Sequence, residues 1–320
     1  MKLTGVFLIE TGVVNRGDGI GNIATVKKIT TPDGIKIYFS PQSYKRALWN
    51  NLQKNYNWTL PLVTREGGVV QRTGTIIDSE EFDFGGTMVA DPKYQRNTTF
   101  YVDQGISINN FSGDMEFMTN MGLASMYGEN ETNIINRENF YGIYLLPFGI
   151  EINRIGIQEI NLNVTFNQND NMESKIITIY SELGEGLTNQ IENRLQEQLI
   201  GRVESIESPN NVITIRLKRD EIKRRLQQLL LAMGELGRQI EGSERNLSPY
   251  FAVFSLDYAT PKFLLFIKDK LRKREKITKD ELDQYAKIDG KTVIVATHEN
   301  YTQIVNDEII AKIFPQAQNI

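Results

Sequence analysis

From Thr25 to Leu52 the chain reads TVKKITTPDGIKIYFSPQSYKRALWNNL, and this stretch limits the possible fold more than any other. Thr25–Ile29 and Ile35–Phe39 are β-branched and aromatic runs joined by Pro32-Asp33-Gly34, a pattern that predicts a hairpin. Ser40 is a helix-capping residue type and Pro41 a helix-opening one, so a helix starts directly after the second run. On that helix Tyr44, Ala47, Leu48 and Leu52 share one apolar face. Gln42, Lys45, Arg46 and Trp49 share another, at i, i+3, i+4 and i+7. This second face gathers cations and hydrogen-bond donors in the first turns, where free backbone N–H groups already favour anions. A phosphate backbone suits such a face. A solvated face with two basic residues has the same spacing.

A chain of 320 residues has room for two average domains or for one elaborated domain. Its 40% hydrophobic and 24% charged residues are ordinary for a globular protein, and no apolar run reaches the ~18 residues of a membrane span. Met1–Ile9 is apolar after Lys2, is closed by Glu10 and lacks a small-residue cleavage site, so it predicts a strand and not a signal peptide. The absence of cysteine excludes disulfides, thiolate catalysis and cysteine–zinc sites together. A cytoplasmic location is expected. The net charge of −4 counts against nucleic-acid binding, but residues 1–60 carry eight Lys/Arg against three Asp/Glu, leaving −9 for the remainder. Local field matters more than the total where a groove is bound.

Lys2–Glu10 reads as a strand and Thr11–Asn22 as a Gly-rich loop with Asn15, Arg16 and Asn22 as polar donors. From Pro61 to Asn139 short strands such as Val69–Ile77 and Phe100–Ile108 alternate with Gly, Asn and acidic residues. This predicts an inserted, partly mobile subdomain without a core of its own. Tyr141–Asn153 predicts a strand pair or a strand broken at Pro147. Asn161–Phe166 and Lys175–Tyr180 flank a polar tip and predict a long hairpin. Asp220 is expected to cap a helix with Ile222, Leu226, Leu229, Leu230, Met233 and Ile240 on one stripe. Tyr250–Leu256 and Phe263–Ile267 read as strands, and Thr278 with Glu281 forms a capping box before a late helix. Stripped of insertions, the order is strand, helix, strand, strand, helix, strand. That is the α+β pattern of ferredoxin-like and RNA-recognition folds.

Most catalytic chemistries lack their residues. The single histidine, His298, has no partner at metal-ligand spacing. Gly17, Gly19 and Gly21 resemble a phosphate loop, but strand formers follow them and no Lys-Ser/Thr is present. Asp83, Asp91 and Asp103 could hold a metal for nuclease chemistry, yet scattered aspartates also serve surface solvation. Lys268–Lys276 carries six cations against two anions and suits either nucleic acid or a solvated helix.

Four segments together resemble the backbone subunit of type I CRISPR surveillance complexes (Cascade), in the DevR-type branch of the repeat-associated RNA-binding superfamily. They are LTGVFLIE with its Asn- and Gly-rich loop; VKKITTPDG leading to YFSPQSYKRALWNNL, similar to a Ser-x-Gln-x-x-Arg-Arg-like helix start; YGIYLLPFGIEINRIG; and Arg219 through GELGRQIEGSERNLSPYFAVFSL. Lys45 stands where an arginine is expected, and Trp49 where another cation is common. The resemblance implies a modified RNA-recognition (ferredoxin-like) palm in residues 1–60, 141–160 and 186–320, a finger insertion in 61–140 and a β-hairpin thumb in 161–185. It implies RNA contacts from Asn15, Arg16, Asn22, Lys27, Lys28, Ser40, Gln42, Lys45, Arg46 and Trp49, with Met172 wedging between bases. The implied partners are CRISPR guide RNA, target DNA by way of the guide, copies of the chain in a helical filament and other Cascade subunits. No membrane, cofactor, metal or catalysis is implied. The alternatives are a type III-like subunit that cuts target RNA with Asp83, Asp91 or Asp114, and a non-CRISPR protein of similar fold.

Overall fold

The protein was analysed as a computed structural model that describes residues 1–320 apart from 67, 90–92, 129–133, 185, 195–196 and 316–320. Its main elements are β1 (Lys2–Gly12), β2 (Lys28–Thr31), β3 (Gly34–Phe39), α1 (Pro41–Tyr56), α2 (Glu80–Gly85), β4 (Phe100–Val102), β5 (Gly105–Asn110) and α3 (Met121–Tyr127). They continue with β6 (Tyr141–Glu151), α4 (Met172–Leu183), α5 (Arg219–Gly234), β7 (Phe251–Ser255), α6 (Leu264–Arg272), α7 (Lys279–Ile288) and β8 (Ile294–Thr297). The strands form one sheet in the order β8-β7-β1-β6-β5-β3-β2, with β4 also pairing β6. Within it, β7-β1-β6-β5 with helices α1 and α5 realises the strand, helix, strand, strand, helix, strand order expected from sequence.

β1 reads as a nearly unbroken apolar run because both faces of the sheet are covered. Successive side chains alternate sides. Leu3, Phe7 and Ile9 meet Leu48 of α1 and Leu226, Leu229 and Met233 of α5. Val6 and Leu8, with Leu145 and Val253, meet Phe263 at the cap of α6, Ile267 of α6, and Leu282 and Ala286 of α7. Phe263–Ile267, expected as a strand, is therefore the start of a helix. Its apolar residues fit either period, and the need to cover the second face of the sheet selects the helix.

β6 runs continuously through Pro147, opposite Val6 of β1, and is neither broken nor a strand pair. The Pro147 carbonyl accepts the Asp103 N–H at 3.0 Å. A strand residue points its N–H and C=O to the same edge, so the missing N–H faces the β4–β5 junction and no bond to β1 is lost. Asp220 lies in the first turn of α5 with Lys218 at the cap, and Ile240 belongs to a separate hairpin, Gly237–Ile240 with Ser243–Asn246.

The segment after β6 departs most from expectation. Ile157–Asn161 pairs with Val212–Leu217, which pairs with Val203–Glu207. Lys175–Tyr180 is helical, so the described residues of 161–185 contain no hairpin and no thumb of that form. Asn171 caps α4 by accepting the Ser174 N–H at 2.8 Å. Ile176, Ile179, Tyr180 and Leu183 then fall on one buried face. The β-branched content of KIITIY favoured a strand, but burial on a single side rewards helical spacing. Met172, in the first turn, packs partly buried against this second core.

That second core also contains Leu62, Ile76, Ile77, Phe82, Val89 and Tyr94. The insertion therefore does not lack a core: much of it packs with residues 157–217. The acidic stretch SEEFDFGG forms α2, with Glu80, Glu81, Phe82, Asp83 and Phe84 all buried. Asp83 accepts Arg96, Arg225 at 3.2 Å and the Gly156 N–H at 3.0 Å. Arg225 also holds Glu221 at 2.6 Å, and Arg224 bridges Glu221 at 2.7 Å and Glu80 at 2.8 Å.

Asp83→Ala leaves two arginines buried without their shared carboxylate and should cost about 3–5 kcal/mol in urea unfolding. A loss below about 1 kcal/mol would show that the network is incidental to stability. Burial works to raise the Glu221 carboxyl, but Arg224 and Arg225 outweigh it and hold it down at about 2. Because the folded value lies below the unfolded one, this stability is present above about pH 4.5 and is lost as pH falls towards 2. Glu221→Gln should flatten that part of the acid-unfolding profile.

Candidate nucleic-acid interface

The junction between β3 and α1 is built by local rules. Ser40 is extended (φ −77°, ψ 151°) and its Oγ accepts the Ser43 N–H at 3.2 Å, so it caps α1 as its sequence predicts. The Ser40 N–H donates to Asn15 Oδ1 at 3.3 Å, which spends Asn15 on bracing the junction. Tyr44, Ala47, Leu48 and Leu52 are buried as expected.

The other expected face divides. Gln42 and Arg46 are exposed. Lys45 folds back, donating to the Phe100 carbonyl at 2.6 Å with its ammonium 5.4 Å from the Phe100 ring centre. Burial lowers it to about 8. Trp49 is not part of an exposed face: it is 5% exposed, stacked on Trp58 at 6.0 Å and edge-on to Phe100 at 6.1 Å. Its aromatic bulk is core, which explains why an aromatic stands where a cation was expected.

The basic loop residues are likewise engaged. Arg16 pairs with Glu241 at 3.2 Å and donates to the Glu138 carbonyl. Lys28 pairs with Glu138 and lies 4.8 Å from the Phe111 ring centre. Burial works to raise the Glu138 carboxyl, but Lys28 and the Val26 N–H outweigh it and set it below its usual range. Asn22 is exposed and Lys27 half-buried. Met172 belongs to α4 and to the second core, apart from the hydrophobic cluster that contains α1.

What the structure assembles instead is a cleft of about 940 Å³ between α1 and the Gly237–Asn246 hairpin. Arg46, Asn50 and Lys54, at i, i+4 and i+8, form one wall, and Arg238, Gln239 and Asn246 the other. Glu235 and Glu244 also line it. Arg238 donates to the Ser43 carbonyl at 3.3 Å, so the hairpin is seated on the first turn of α1. Both residues of the hairpin tip, Glu241 and Gly242, have positive φ (50° and 76°), the twist that a two-residue hairpin loop needs. Glu241 then takes Arg16 at 3.2 Å and Arg137 at 3.0 Å, tying the tip to the Gly-rich loop. Asn50 and Lys54 were visible by helical spacing from Arg46. Arg238 was not, because nothing local signals that residue 238 faces residue 46.

Three cations and several amide side chains along an open cleft suit the phosphates and sugars of a nucleic-acid strand. Nuclease geometry has less to build on. Asp83 is consumed by its two arginines, Asp103 and Asp114 are exposed, and Asp91 lies outside the described residues. Among the described residues no three His, Cys, Asp or Glu side chains stand together as a metal site.

The molecule is thus an α+β protein whose two-sided sheet carries a cationic cleft along its first helix. The chain belongs to the family described as CRISPR-associated negative auto-regulator DevR/Csa2, whose model matches residues 3–279. Among solved structures it is similar to a chain titled "CRISPR RNA-guided surveillance complex, pre-nicking", with a TM-score of 0.58 and 10% identity over 98% of this chain and 100% of that one. A second, titled "CRISPR RNA-guided surveillance complex", has a TM-score of 0.43 and 10% identity over 100% of this chain and 95% of that one. No curated protein matches. The membership agrees with the resemblance carried by the strand–hairpin–helix segment.

Ser40→Ala removes the cap of α1 and should lower the stability of the free protein by about 1 kcal/mol. Unchanged thermal unfolding would mean that the Asn15 contact, and not the cap, sets the junction.

Proposed function

We propose that this chain is a non-catalytic backbone subunit of a Cascade-type surveillance complex in the cytoplasm. Copies sit side by side along a CRISPR guide RNA and present its bases for pairing with target DNA, next to the other subunits of the complex. In this reading the β7-β1-β6-β5 sheet with α1 and α5 is a modified RNA-recognition palm, which takes β4 and β5 from within residues 61–140, and the rest of that insertion supplies the fingers. The cleft between α1 and the Gly237–Asn246 hairpin is the observation that carries the proposal. It offers Arg46, Lys54 and Arg238 to phosphates, with amide side chains between them. Such contacts hold a strand in place without reading its sequence, as a subunit serving arbitrary guides requires.

The covered sheet supports the same reading. An ordinary RNA-recognition domain stacks bases on aromatic residues of an open sheet face. Here α6 and α7 close that face over Val6, Leu8 and Val253. A bound strand is left to the cleft along α1.

Arg46 and Lys45 separate the two roles that their adjacency suggests. Arg46→Ala should weaken RNA binding almost equally for all guide sequences and reduce the salt slope by about one unit. Lys45→Met should leave the slope nearly unchanged and lower stability, since Lys45 caps the Phe100 carbonyl. Filter binding over a range of salt concentrations reads both. An unchanged slope for Arg46→Ala would remove the cleft from the RNA path.

A further inference from the structure

Beyond the cleft, one ion cluster holds more cation than its anion can use. Arg16 of the Gly-rich loop and Arg137 of the strand Ile134–Glu138 come from distant parts of the chain and converge on a single carboxylate, that of Glu241. Arg16 holds it with Nε 3.3 Å from both oxygens and Nη2 3.2 Å from Oε2, and Arg137 adds Nη1 at 3.0 Å. Glu138, next to Arg137, is already committed. It gives one carboxylate oxygen to Lys28 and the other to the Val26 N–H at 2.8 Å, and offers Arg16 only its backbone carbonyl. Two guanidiniums therefore share one anion, and the buried Arg137 Nε has no hydrogen-bond partner among the described residues.

We propose that Arg16 and Arg137 form a phosphate site, and that Glu241 fills it in the RNA-free chain as an internal substitute which the arriving strand displaces. The inference rests on the guide-binding reading above and adds to it a second anchor, closed until a strand arrives. A guanidinium fork binds a carboxylate or a phosphodiester through the same pairs of N–H bonds, so the geometry that holds Glu241 also suits a phosphate. The exposed member of the cluster is the anion. The Glu241 side chain is 35% exposed, against 14% for Arg16 and 18% for Arg137. A strand coming from solvent meets the replaceable group first, and an ion pair at that exposure is weak enough to exchange.

The hairpin turn supports the same assignment. Glu241 and Gly242 are the two central residues between Ile240 and Ser243, and Glu241 has φ 50°. Such a turn favours Asn, Asp or Gly at its first central position, and a longer side chain is strained there. The backbone gives no reason for a glutamate at this point, whereas the two arginines do. The site also adjoins the cleft. Arg238, on the cleft wall and seated on the Ser43 carbonyl, stands three residues before Glu241, roughly 10 Å along the strand. One nucleic-acid strand can touch both. While Glu241 stays on its arginines the hairpin tip is tied to the Gly-rich loop, and a phosphate that takes its place releases the tip.

The chain has no cysteine, so a nitroxide attached at Ser243→Cys reports on the hairpin tip alone. Saturating the labelled parent with RNA should raise the mobility of the label. Glu241→Gln should show the mobile spectrum without RNA and bind RNA about fivefold more tightly. In a chain that also carries Arg137→Ala, Glu241→Gln should bring less than a twofold gain, because the freed arginine is what the strand uses. A label that stays immobile on RNA-saturated parent would overturn the exchange. A fivefold gain that survives Arg137→Ala would also overturn it, by assigning the gain to lost repulsion, and weaker RNA binding by folded Glu241→Gln would make the cluster a structural tie. A second measurement needs no RNA. Inorganic pyrophosphate, titrated by calorimetry, should bind Glu241→Gln about tenfold more tightly than the parent, and adding Arg137→Ala should abolish the difference. Equal binding by parent and Glu241→Gln would remove the site. If the parent fails to bind RNA, the guide-binding reading falls, and the pyrophosphate titration still decides whether Glu241 covers an anion site.

Discussion

Asp83 is fully buried, and the arrangement of the whole molecule depends on the groups it gathers. It comes from a short helix in the insertion, Arg96 from the strand Tyr94–Arg96, Arg225 from α5, and Gly156 from the turn after β6. One carboxylate thus joins the sheet's helix layer to the second core. Ionised groups removed from water are tolerated only when hydrogen-bonded on most sides, so the position of each piece is set by the others. Arg225 adds the Ile76 carbonyl at 2.9 Å, which draws the insertion onto α5. A patch of the sequence that looked like surface acidity is therefore an internal joint.

With the second core docked by that joint and helices on both faces of the sheet, little flat surface is left for a ligand. Beside that helix layer α1 and the Gly237–Asn246 hairpin face each other across the cleft, held by Arg238 on the Ser43 carbonyl. The proposed RNA path follows from this exclusion as much as from the charge of its walls.

The positive charge of residues 1–60 is largely used inside the protein. Arg16 and Lys28 are bound to Glu241 and Glu138, and Lys45 to a backbone carbonyl. Net local charge and available cations are different quantities. The first is a property of composition. The second depends on which carboxylates the fold brings near, and Glu138 and Glu241 are more than a hundred residues away in the chain.

The sequence by itself determined the elements whose causes are local. The β2–β3 turn, the Ser40 cap, the buried face of α1 and the Thr278–Glu281 capping box all depend on residues within a few positions of one another, and they were legible there. The strand–hairpin–helix segment also marked the family. Tertiary structure alone decided the rest. Lys175–Tyr180 and Phe263–Ile267 carry apolar residues compatible with either period, and the surface each had to cover made them helices. Trp49 was drawn into the core by Trp58 and Phe100. Arg238 reached the cleft because a hairpin tip is pinned by Arg16 and Arg137. In each case the decisive partner is distant in sequence, and a window of residues contains its own periodicity but not the identity of the surface it will meet.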